Sequence, residues 1–72
     1  MLQKNITEQI GRYVVTPLTQ PSSSGQFLAA VSIRRGTYDR VIRFVPHFSN
    51  ELLASNYALA EGRSMVLNQR LN

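Results

Sequence analysis

The strongest constraint in this chain is an alternation of side chains on either side of one glycine. Gln26-Phe27-Leu28-Ala29-Ala30-Val31-Ser32-Ile33-Arg34 runs into Arg35-Gly36, and Thr37 through His47 runs back out. Successive side chains on a strand point to opposite faces. With Arg35 and Gly36 as the two loop residues, Thr37 faces Arg34, Tyr38 faces Ile33, Arg40 faces Val31, Ile42 faces Ala29 and Phe44 faces Phe27. One face then holds Phe27, Ala29, Val31 and Ile33 against Tyr38, Arg40, Ile42 and Phe44. Only Arg40 interrupts its apolar character, and its place near the hairpin tip lets the stem pack while the guanidinium reaches water. The other face pairs Leu28 with Arg43, Ala30 with Val41 and Ser32 with Asp39, the last as a cross-strand hydrogen bond. An antiparallel sheet covered on one side and wet on the other requires this division. Gly36 supplies the positive φ of a tight turn.

The flanking segments extend the hairpin in both directions. Tyr13-Val14-Val15-Thr16 are strand formers, and Pro17 marks an edge position or the end of that strand. Tyr13 and Val15 face the core. Thr19 through Gly25, with its triple serine, has the composition of a flexible connector. Leu2, Ile6 and Ile10 are four apart, so residues 1–10 form a weakly ordered arm or a short helical turn. On the other side Pro46 stops the hairpin. Ser49 is placed as the N-cap of a helix from Asn50 to about Gln69, with Glu51 suited to the positive end of its dipole. Phe48 and Leu53 have the spacing of a hydrophobic staple.

The inward stripe of that helix is Leu53, Tyr57, Ala60, Ser64, Leu67 and Leu71. Ala54, Ala58 and Met65 flank it, and Leu59 and Val66 fall on the far side. Gly62 costs roughly 1 kcal/mol against alanine in a helix interior, so it marks a close approach to the sheet or a kink. The expected fold is α+β: a three-stranded antiparallel β-meander packed against one C-terminal α-helix, as a single domain over residues 11–72.

Composition limits the chemistry. The chain has 72 residues, no cysteine and one histidine, His47. A disulfide framework and a structural zinc site are both excluded on those grounds. Small domains without such staples often gain stability by oligomerising, which makes a homodimer one expected partner. No glycine-rich phosphate loop, nucleophile elbow or metal-ligand spacing occurs. The acids Glu8, Asp39, Glu51 and Glu61 lie on different elements. The chain therefore reads as neither an enzyme nor a cofactor carrier. Met1 to Asn5 has no apolar h-region, and no run is long enough to span a membrane. With no cysteine, the expected compartment is the cytoplasm.

Two surfaces remain for function. Leu28, Ala30, Val41 and Val45 on the outer sheet face are candidates for contact with a protein partner. The net charge is +4, with Lys4 the only lysine. Arg34, Arg35, Arg40 and Arg43 form the local cluster that could contact an anion or a nucleic acid. The favoured reading is a non-catalytic binding or protein-interaction domain, with nucleic-acid binding as the alternative.

The element order resembles the double-stranded-RNA-binding domain in topology. That family places a lysine-rich start of its last helix on phosphates. The matching stretch here, Ser49-Asn50-Glu51-Leu52-Leu53-Ala54-Ser55-Asn56, has no basic residue. The segments Tyr13-Val14-Val15-Thr16-Pro17, Phe48-Ser49-Asn50-Glu51, Tyr57-Ala58 and Glu61-Gly62-Arg63 resemble a group of small uncharacterised proteobacterial proteins with a β-β-β-α core. That resemblance implies the same fold and no activity.

Overall fold

A computed structural model of the protein describes residues 7–68. Four strands and one helix follow in chain order: β1 Glu8–Ile10, β2 Tyr13–Pro21, β3 Phe27–Arg35, β4 Tyr38–Phe48 and α1 Glu51–Leu67. The strands form one antiparallel sheet in the order β1-β2-β3-β4. The α+β class and the C-terminal helix agree with the sequence reading, but the sheet has four strands rather than three. The extra strand comes from the segment read as an arm or helical turn. Glu8 pairs with Val15, Gln9 with Val14 and Ile10 with Tyr13. The rest of that arm, residues 1–6, lies outside the described residues.

Turn chemistry explains both tight hairpins. The β1–β2 loop is Gly11-Arg12 and the β3–β4 loop is Gly36-Thr37. In each, glycine occupies the first loop position at φ of 60° and 62°, the left-handed region that glycine enters without a side-chain clash. Arg35 thus pairs with Tyr38, Ile33 with Arg40 and Val31 with Ile42. This register is shifted by two residues from the one expected with Arg35-Gly36 in the loop. A shift of two leaves every side chain on its face, so the division into apolar and mixed faces survives.

Two further boundaries differ from expectation. β2 runs on to Pro21, because neither proline obstructs its ladder with β3. Pro17 pairs with Val31 and Pro21 with Phe27. The two prolines share parity, so both turn their missing N–H away from β3. The connector is thereby reduced to residues 22–26, closed by Ser22 N–H to Gln26 C=O at 2.8 Å and Gly25 N–H to Ser22 C=O at 3.2 Å. β4 likewise passes Pro46 and ends at Phe48, because an irregularity between the Ala30–Arg43 and Leu28–His47 pairs accommodates the extra residues.

The helix begins one residue later than expected. Asn50 is the N-cap, its Oδ1 accepting from the Leu53 N–H at 2.8 Å. Phe48 packs on Tyr57, with ring centroids 5.0 Å apart, and Leu53 is 47 % exposed. The buried stripe is Ala54, Ala58, Gly62 and Val66, spaced by four. Of the stripe expected inward, Tyr57 packs against the core and Ser64 is half-buried, but Leu53, Ala60 and Leu67 are exposed, and Leu71 is outside the described residues.

The reason is distance of approach. A Cβ placed on Gly62 would lie 2.7 Å from Val15 Cγ1 and 2.7 Å from Val31 Cγ2. Small residues let the helix backbone settle onto the valines of β2 and β3, where leucines would hold it off. The core is Val15, Ala29, Val31, Ile33, Ala54, Ala58 and Val66. Gly62 fixes the approach and does not interrupt the helix, which is continuous over Glu51–Leu67.

Gly62→Ala tests this packing. In an open helix the change would stabilise by about 1 kcal/mol. Here the added methyl meets two stiff β-branched side chains, and overpacking of that kind costs about 1–3 kcal/mol. The expected net effect is a lower midpoint of chemical denaturation with an unchanged slope.

Candidate interaction face

The sheet has one face covered by α1, which packs mainly on β2 and β3. The other face carries no secondary-structure layer among the described residues. Register and parity place Val14, Thr16, Leu18 and Gln20 of β2, Leu28, Ala30, Ser32 and Arg34 of β3, and Asp39, Val41 and Arg43 of β4 on this open side. Leu18 lies opposite Ala30, which lies opposite Arg43. Leu28 and Ala30 are half-buried by their neighbours, while Leu18 and Val41 are 39 % and 44 % exposed. Val14 and Leu18 add apolar side chains to this face beyond the residues picked out from sequence. Their parity relative to the core-facing Val15 already implied this.

Val45 does not belong to that row. It falls in the irregular stretch of β4 with no partner across it on β3, and it is 89 % exposed. The Ser32–Asp39 hydrogen bond expected from sequence is present, with Ser32 Oγ donating to Asp39 Oδ1 at 2.6 Å. It spans a diagonal, since Asp39 stands directly opposite Arg34.

The four arginines do not form one patch. Arg34 and Arg35 are consecutive on β3 and point to opposite faces, as do Arg40 and Arg43 on β4. Arg34 and Arg43 lie on the open face. Arg35 and Arg40 lie on the helix side, where the Arg35 guanidinium sits 5.7 Å from the centroid of the Tyr13 ring, within cation–π range. A cluster read from linear proximity is thus divided by the pleat.

A second exposed apolar strip runs along the back of α1 through Leu53, Ala60 and Leu67, with Leu53 and Leu67 at 47 % and 63 % exposure. The described residues contain no group of three or more His, Asp or Glu able to hold a metal. His47 is exposed, its Nδ1 3.3 Å from Gln26 Oε1. No described helix is long and apolar enough to cross a membrane. Comparison with protein families, with curated proteins and with solved structures finds no match to this chain.

Two side-chain pairs on the covered side hold the frame in place. Thr19 Oγ1 donates to Glu51 Oε2 at 2.8 Å, tying the first turn of α1 to β2. Arg63 donates through Nε and Nη2 to the two carboxylate oxygens of Glu8, at 3.2 and 2.8 Å. This fork joins α1 to β1. The hydrogen bonds from Arg63 hold the Glu8 carboxyl below its ordinary value, opposed by a smaller cost of burial and helped least by the Arg63 charge. A carboxyl lowered by folding stabilises the fold above its unfolded value, and the gain is lost as the pH falls through the folded value. Glu8→Gln should therefore lower the melting temperature slightly at neutral pH. The gap from the unmodified chain should close in acid and narrow in high salt, as followed by thermal unfolding across a pH series.

Proposed function

We propose that this protein is a non-catalytic protein-interaction domain that uses the open face of its sheet. The observation that carries this reading is the one-sided architecture. A sheet ordinarily buries its apolar side chains against a second layer, and here Leu18, Ala30 and Leu28 adjoin one another, with Val41 diagonal to Ala30, and no such layer covers them among the described residues. Contiguous apolar patches rimmed by polar groups favour protein contact. Thr16 and Ser32 separate this patch from Val14, and Gln20, Arg34 and Arg43 lie beside it, where they can supply hydrogen bonds and charge to an interface. The chemistry required of such a site is shape and apolar contact, and none of the named residues needs to titrate.

The double variant Leu18→Glu/Leu28→Glu puts charge into the patch without touching α1 or the valine core. The tagged chain, cross-linked in an extract of its source cells and treated with nuclease, should retain a specific protein. The double variant should lose that protein while keeping its circular dichroism and its cooperative unfolding. Equal capture by both chains would remove the open face as the contact. Capture that disappears with nuclease would replace this reading with nucleic-acid binding.

A further inference from the structure

β4 is eleven residues long and closes one side of the sheet. The turn pair Arg35–Tyr38 is hydrogen-bonded in a two-residue hairpin, and bonded pairs alternate from there. Ile33–Arg40 and Val31–Ile42 are then bonded pairs. Asp39, Val41 and Arg43 turn their N–H and C=O groups outward. The two β2 prolines, which need Val31 to bond toward β4, require the same phase. Such an edge is a template for another strand unless it is blunted. Pro17 and Pro21 blunt the outward side of β2, whereas Tyr38 through Val45 contain no proline.

We infer that β4 pairs with β4 of a second copy of this chain, antiparallel, about a twofold axis through Val41. The occupant follows from the order of charges along the strand. Only an axis through a residue keeps the two open faces on one side of the joined sheet. An axis at Val41 puts Asp39 directly opposite Arg43 of the partner, twice, with the two Val41 side chains together between them. On the helix side it sets Tyr38, 77 % exposed, against the partner's Phe44. An axis at Arg40 or Arg43 places two like charges at the centre, and one at Ile42 leaves Asp39 opposite the partner's Val45. Arg43 makes no ion pair or side-chain hydrogen bond among the described residues. Among the described residues Asp39 accepts through Oδ1 alone, which leaves Oδ2 for the partner's Arg43. α1 lies mainly over β2 and β3, so it does not cover the β4 edge.

This pairing is separate from the open-face contact, and either can hold without the other. The test is the solution mass of the full chain by analytical ultracentrifugation. The unmodified protein should be a dimer at micromolar concentration. Val41→Pro removes an outward N–H and no bond to β3, so it should yield a folded monomer. Asp39→Arg and Arg43→Asp each set like charges opposite one another and should weaken association about tenfold or more. Mixing those two variants restores opposite charges at both positions, and the mixture should form heterodimers. Val41→Cys should form a disulfide-linked dimer on oxidation, since bonded antiparallel pairs bring the Cα atoms to about 5.5 Å. A monomer at all concentrations would overturn the proposal. So would a dimer indifferent to Val41→Pro and to the charge reversals, which would move the contact to Leu53, Ala60 and Leu67.

Discussion

The contact of the Gly62 backbone with the methyls of Val15 and Val31 sets the geometry of the whole molecule. It brings the helix axis down onto β2 and β3 and determines which helical residues are buried. Ala54 and Ala58 share that ridge and are fully buried. Interiors packed to this density respond to a single methyl. The aromatic contacts follow from the same placement. With the helix centred over two strands, Tyr57 reaches sideways to β4, meeting Phe44 edge-on at 5.2 Å as well as Phe48.

That placement also accounts for the uneven exposure of the surface. A helix set close to the sheet on small residues has its larger apolar side chains left on the outside, and Leu52, Leu53 and Leu67 are there. A single helix covers one face of a sheet, so the other face keeps its own apolar patch. The positive charge is spread over both faces by the pleat. It gives a diffuse field suited to steering an approach.

The features readable from sequence were those protected by periodicity. The face division around Gly36 depends only on parity and was unaffected by the change of register. The register itself depended on which turn position the glycine takes. Gly11-Arg12 between Ile10 and Tyr13 repeats the Gly36-Thr37 pattern, and it was the available signal for β1. That strand was missed because Glu8–Ile10 is too short to show alternation, and Leu2, Ile6 and Ile10 imitate a helix. The helical stripe was misjudged because ranking faces by apolar bulk favours leucine, whereas burial here was decided by closeness of approach. For the candidate site, parity recovers Leu28, Ala30 and Val41. Arg34 and Arg35, and Arg40 and Arg43, are divided between the two faces because neighbours in sequence on a strand are not neighbours on a surface.

The strand order β1-β2-β3-β4 means that every strand pairs only with its neighbours in the chain. Sheet assembly therefore proceeds through short closures, which carry little loop entropy and are fast. The distant steps are those that seat the helix: Thr19 with Glu51 and Glu8 with Arg63. The helix follows the sheet in the chain. On a ribosome the hairpins can form first, and Val15, Val31 and Ile33 then face water until residues 54–66 emerge to cover them. This interval exposes the chain to misassociation until the helix folds onto the sheet.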